Sequence, residues 1–157
     1  MIFPPAVIGL ISDTHGLLRE QALAALAGVD ASLHAGDIGD AAILAQLATI
    51  APVTAVRGNN DREPAFEAVP ETATLNVGGI AIHLLHDLKL LLADDAAAAQ
   101  VIVTGHSHRP LIEPRDGRLY VNPGSAGPRR FSLPVTVAKL HIAADGGVQA
   151  ELIELIL

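Results

Sequence analysis

Asp13, His15, Asp37, Asn59, His86, His106 and His108 have side chains of the types that can ligate divalent cations. Carboxylate, imidazole and amide oxygen suit hard or borderline divalent ions. The chain has no cysteine, which excludes disulfides, thiolate ligands and cysteine nucleophiles. Asp13-x-His15 places two donors on one short turn, within reach of one ion. Asp37 has two carboxylate oxygens and can bridge two ions. In His106-x-His108 the alternate side chains can each serve a different ion. Gly36, Gly58 and Gly105 each precede a ligand, where a missing Cβ permits close backbone approach. Two neighbouring cations acidify a shared water and neutralise charge on a phosphoryl group.

Each fragment also has an ordinary reading. Asp-x-His is common, a strand-terminal Gly-Asp is often a turn, and so is Gly58-Asn59-Asn60-Asp61. His-x-His can be a surface pair. Their shared placement is what carries the argument. Residues 7–12 form a short apolar run that reads as a buried strand, and Asp13 follows it. Residues 31–34 are a second such run before Gly36-Asp37, and residues 53–57 a third before Gly58-Asn59. Between them, residues 19–27 and 41–48 read as helices. This βαβαβ rhythm predicts a parallel sheet, and open α/β sheets form their sites beyond the carboxyl ends of strands.

The second half is richer in strands. Residues 72–77 and 80–86 flank Gly78-Gly79, residues 111–115 and 118–122 flank Asp116-Gly117, and residues 135–142 and 148–156 flank Asp145-Gly146-Gly147. Each is a hairpin signal. Residues 89–99 read as a helix and 101–105 as a strand that delivers His106. His86 closes a strand of the first hairpin. His83 lies on the same strand, but alternation turns it to the opposite face.

Length gives one domain, residues 1–157, with a core dominated by Ala, Leu, Ile and Val and only four aromatic side chains. The formal charge of −7 argues against non-specific nucleic-acid binding. The opening residues carry no basic stretch, so no signal peptide is expected, and no apolar run is long enough to span a bilayer. A cysteine-free composition fits a cytoplasmic setting. The apolar residues 152–157 could pack at a contact between copies of the chain. His141 and the pair Arg129-Arg130 read as surface residues.

Taken together, Asp13-x-His15, Gly36-Asp37, Gly58-Asn59-Asn60-Asp61, His86 and Gly105-His106-Ser107-His108 resemble the calcineurin-like metallophosphoesterase superfamily. Asn122-Pro123-Gly124-Ser125 and the small size are similar to its compact bacterial and archaeal phosphodiesterase branch. The resemblance implies an α/β fold: a four-layer α/β/β/α sandwich of two mixed sheets with no cap domain. It implies two divalent ions, manganese first, with nickel, iron, cobalt or zinc as alternatives. One would take Asp13, His15, Asp37 and His108, and the other Asp37, Asn59, His86 and His106. It further implies catalytic roles for Asp37, Asn59, His106, Asn60 and Asp61 on a small phosphate ester. A non-catalytic protein-binding scaffold is the alternative.

Two positions depart from the family pattern. Asp87 stands where glycine usually follows the ligand matching His86. Asn60 stands where many relatives have a histidine that assists the leaving group. Asn60 can donate a hydrogen bond but supplies no proton near neutral pH, which favours diesters and good leaving groups. Asp61 and His34 could orient ligand imidazoles, and Arg57 and Arg62 could touch phosphate oxygens. Their ordinary readings are a turn residue, a packed strand-end histidine and surface charges. Asn122–Ser125 is expected to shape the loop beside His106.

Overall fold

A computed structural model describes residues 3–157, so Met1 and Ile2 of the opening segment lie outside the described residues. The first sheet has the order β10-β9-β1-β2-β3. Its strands are β1 (Ala6–Ile11), β2 (Ala31–His34), β3 (Val53–Ala55), β9 (Thr136–Ile142) and β10 (Val148–Glu154). β1, β2 and β3 run parallel, while the β9–β10 hairpin joins β1 antiparallel. The second sheet has the order β4-β5-β6-β8-β7. Its strands are β4 (Thr72–Val77), β5 (Ile80–Leu85), β6 (Val101–Val103), β7 (Leu111–Arg115) and β8 (Arg118–Asn122), with β5, β6 and β8 parallel. All three hairpins expected from the glycine-containing turns are present.

Three apolar clusters define the layers. The central one joins Ile8, Leu10 and Leu33 of the first sheet to Ile82, Leu84, Val101 and Val121 of the second, so the sheets pack face to face. Outside the first sheet, α1 (Glu20–Ala25) and α2 (Ala42–Ala48) bury Ala22, Ile43 and Leu47 against Ile11 and Val137. Outside the second, α3 (Ala93–Ala98) contributes Ala96 to a small cluster around Ile102 and Tyr120. The four-layer arrangement expected from the sequence is therefore present, with helical layers of only six or seven residues each.

The expected helix over residues 89–99 is divided. A 3₁₀ turn at Leu88–Leu90 is followed by extended backbone at Leu91 and Leu92 before α3 begins. Asp87 caps the turn by accepting a hydrogen bond from the Lys89 N–H at 3.0 Å. Leu91 packs toward Ile102 and Tyr120, while Leu90 and Leu92 remain exposed. The extended backbone at Leu91 and Leu92 is what separates the turn from α3.

Leu152 on the edge strand β10 and Ile156 and Leu157 beyond its end are exposed, whereas Leu155 is buried. His141 pairs with Glu151 on the surface at 3.1 Å, and Arg129-Arg130 are exposed. No helix among the described residues is long and apolar enough to cross a membrane.

Candidate metal centre

The loops that leave β1 and β2 run side by side. Past the strand ends, Asp13 N–H donates to Gly36 C=O (3.0 Å), His15 N–H to Asp37 C=O (2.9 Å) and Gly16 N–H to Ile38 C=O (2.8 Å). The parallel ladder is prolonged into the site. Asp13, His15 and Asp37 all adopt left-handed backbone, with φ of 53°, 46° and 56°. His106 and His108, on the loop after β6, do the same at 71° and 62°. Seven non-glycine residues among those described have positive φ, and five are expected ligands. Such conformations cost on the order of 1 kcal/mol or more each and gather at functional sites.

The side chains converge. Asp13 Oδ1 lies 3.4 Å from His108 Nε2, 3.7 Å from His15 Nε2 and 4.0 Å from His86 Nε2. Asp37 Oδ2 lies 3.3 Å from His86 Nε2 and 3.7 Å from His15 Nε2. Two atoms that each ligate one ion at about 2.1 Å stand at most about 4.2 Å apart. All five separations meet that limit. Two groups result: Asp13, His15 and His108, and Asp13, Asp37 and His86. Asp13 Oδ1 and His86 Nε2 are buried and have no hydrogen-bond partner, and a cation between them would satisfy both.

The remaining atoms of these ligands are already engaged. Asp13 Oδ2 accepts from the Ser12 hydroxyl (2.7 Å) and the His106 N–H (3.1 Å), which turns Oδ1 into the gap. His86 donates from Nδ1 to Ala35 C=O at 2.7 Å, which leaves the Nε2 lone pair free to ligate. Asp37 accepts from the Asn60 backbone N–H (3.0 Å) and from the Asn60 side-chain amide (3.3 Å). A Cβ at Gly36 would lie 2.7 Å from His86 Nδ1, so the absent side chain at this residue makes room for the imidazole. One at Gly105 would strike the Ser12 hydroxyl.

Electrostatics follow from this packing. Burial pushes the Asp37 carboxyl up, but the His86 imidazole and the Asn60 N–H outweigh it and hold the group down at about 2. Burial likewise opposes ionisation of Asp13, yet the adjacent His108 and the Ser12 hydroxyl keep it below its ordinary value. Burial lowers the basicity of His86, and Asp37 and Asp13 reverse this and raise it. Both carboxylates are thus ionised near neutral pH, and their negative potential favours a cation.

The other sequence-selected residues separate by position. His106 stands at the rim with its side chain 47% exposed, edge-on to the His86 ring. Its Nε2 is 3.9 Å from Asp87 Oδ2. Asn59 is exposed at the mouth, and its carbonyl accepts from Arg62 Nε at 3.0 Å. Arg57 pairs with Glu71 at 3.5 Å. Asp61 is buried and accepts from the backbone N–H groups of Ile38, Gly39 and Gly58. It therefore ties the Asp37 loop to the Asn59 loop and orients no imidazole. His83 bonds to Thr74 on β4 at 3.0 Å and stays out of both ligand groups.

His34 has a similar tying role. Gly36 N–H donates to its Nδ1 (3.1 Å), its Nε2 faces the Thr14 hydroxyl (3.0 Å), and Thr14 donates to Ile38 C=O (2.9 Å). Complete burial lowers its pKa to about 4, so it is neutral in this chain of bonds. Sequence reasoning missed Ser12 and Thr14, and it set Ser125 beside the His106 loop, whereas the Ser125 hydroxyl donates to Asp13 C=O at 2.9 Å. Hydroxyl residues flanking a strand-end ligand were the available signal. Asn122 does shape the His106 loop: its amide donates to Gly105 C=O (3.0 Å) and Ser107 Oγ (3.1 Å).

A fold of two stacked mixed sheets with paired acidic and imidazole ligands at the strand ends defines a class of metal-site protein. The calcineurin-like phosphoesterase superfamily domain matches residues 7–145. The chain belongs to that superfamily. A probable metallophosphoesterase of Methanothermobacter thermautotrophicus is 32% identical over 141 residues, 82% of this chain and 81% of that protein. Among solved structures, an archaeal phosphodiesterase superposes with a TM-score of 0.76 at 20% identity, covering 94% of this chain and 99% of that one. Vacuolar protein sorting 29 from Cryptosporidium parvum superposes with a TM-score of 0.77 at 20% identity, covering 99% and 100%. Such similarity establishes the fold. The chain is a probable metallophosphoesterase with a buried Asp/His cluster consistent with divalent metal.

Proposed function

We propose that this chain is a phosphodiesterase dependent on two divalent ions, acting as one compact domain on a small ester. The observation that carries the reading is the pair of buried, unpartnered atoms Asp13 Oδ1 and His86 Nε2 facing one gap. Asp13, His15 and His108 would hold one ion. Asp37 and His86 would hold the second with Asn59 and His106, and Asp37 would bridge. Bound ions supply the charge that acidifies an attacking water and offsets charge on phosphate oxygens.

The chain's own residues set the geometry. Ser12 and the His106 N–H fix the Asp13 carboxylate, Asn60 fixes Asp37, and Ala35 C=O fixes the His86 tautomer. Asn60 is engaged with Asp37 and supplies no proton to a leaving alkoxide. Activated diesters are therefore the better substrates. Manganese is the first metal to test, and the cysteine-free composition fits a cytoplasmic setting.

The test is hydrolysis of bis(p-nitrophenyl) phosphate and p-nitrophenyl phosphate by protein loaded with Mn²⁺, Ni²⁺, Co²⁺ or Zn²⁺, alongside elemental analysis. Turnover of the diester above the monoester is expected. Protein that holds metal stoichiometrically but turns over neither ester would instead support the scaffold reading, which the likeness to vacuolar protein sorting 29 brings forward.

A further inference from the structure

A groove of about 510 Å³ runs from His86 and Asn59 between β4 and the Leu88–Leu92 segment. Its size is that of a small-molecule site. Arg57, Glu71, Leu90 and Leu92 are among its lining residues. Leu90 and Leu92 are 72% and 67% exposed, a large apolar area for adjacent surface residues. The floor contains His83, which is only 3% exposed and whose Nε2 has no hydrogen-bond partner. Its Nδ1 faces the Thr74 hydroxyl, so Nε2 is the unmet atom. Asp95 Oδ2, on α3, lies 3.9 Å from that Nε2.

These groups specify a ligand chemistry. With the Thr74 hydroxyl donating to Nδ1, Nε2–H is a donor, and the Asp95 carboxylate beside it accepts. A neighbouring C=O and N–H on one edge of a flat ring satisfies both at once. The two exposed leucines offer apolar contact to the ring face. We propose that this groove binds the organic arm of the substrate, and that the arm is a nucleoside whose base presents a lactam edge to His83 and Asp95. The inference rests on the phosphodiesterase reading, since it is the diester phosphate at the metal centre that would aim its arm along the groove.

The test compares p-nitrophenyl diesters that break the same bond: methyl, thymidine 5′ and N3-methylthymidine 5′. The thymidine ester is expected to exceed the methyl ester at least tenfold in kcat/KM, carried by KM. Methylation at N3 removes the lactam N–H and should abolish most of that gain without any change to the protein. In Asp95→Ala, which removes the acceptor for the lactam N–H, the two thymidine esters should become equal, a ratio read within the variant and so independent of its folded or metal-loaded fraction. Equal kcat/KM for all three esters, or an N3-methyl ester as good as its parent, overturns the proposal while leaving the phosphodiesterase reading intact. If no ester is hydrolysed with any metal, that reading fails and the groove is judged by binding. A saturable shift of the His83 imidazole resonance with thymidine 5′-monophosphate, absent with the N3-methyl analogue, supports it. No shift with either refutes it.

Discussion

The two sheets contribute to the metal centre in different ways. On the first-sheet side, the loops after β1, β2 and β3 are bound to one another: backbone ladder bonds join the first two, His34 and Thr14 reinforce them, and Asp61 draws in the third. On the second-sheet side, His86 is anchored by one bond to Ala35, His108 Nδ1 is buried without a partner, and His106 is half exposed. The first sheet supplies a rigid carboxylate frame. The second supplies imidazoles with fewer bonds of their own to hold them.

The sharpest way to break this contrast is Asp37→Asn. If the carboxylate bridges, the variant should lose most bound metal and at least about a thousandfold in activity; near-normal metal content by elemental analysis would end the bridging assignment. His86→Ala against His106→Ala comes next. His86→Ala should weaken metal retention at least about tenfold on dialysis. His106→Ala should lose less metal, and equal losses would erase the distinction between anchored and rim imidazoles.

Asp61→Ala leaves three backbone N–H groups without their acceptor. It should cost about 3 kcal/mol and lower Tm by roughly 6–12 °C in metal-free protein. An unchanged Tm would mean the first-sheet loops hold together without it. His34 offers a pH test. Its folded pKa is about 4 against 6.5, so the unfolded chain binds more protons between those values. Its contribution is complete above 6.5 and declines as pH falls toward 4, by up to about 3 kcal/mol. His34→Gln should flatten that part of the metal-free stability profile, measured by urea unfolding from pH 7 to pH 4.5. The smallest effect is expected from Asp87→Gly, which removes a side-chain cap at a cost of roughly a few tenths of a kcal/mol. It should loosen the Leu88–Leu90 turn, seen as faster amide exchange at Lys89, with little loss of metal.

The candidate ligand positions were legible in the sequence because a strand end is a local signal. An apolar run that stops at Asp13, Asp37 or His106 declares both the element and the edge where its side chain emerges. The three hairpins were legible for the same reason. The supporting bonds were not. Whether Asp61 meets an imidazole or a row of N–H groups depends on how three loops meet, and residues 34, 14 and 38 are joined only by tertiary geometry. The broken helix after Asp87 was hidden because Leu91 is held by contacts with Ile102 and Tyr120, far along the chain. The positive φ values were hinted at by residue type, since Asp and His tolerate left-handed backbone better than most.

Asp13 and Asp37 belong to one sheet and His86 and His108 to the other, so a cation between them is also a clasp. It would close the sandwich at one edge, in series with the apolar layer that closes the rest. Any ion that binds only the folded chain adds RT ln(1 + [M]/Kd) to stability, about 2.7 kcal/mol at a hundredfold excess over Kd. Chelation should then do more than silence a reaction. It should let the two halves of the molecule breathe apart at their carboxyl edge, where amide exchange in β5 and β6 would register the opening first.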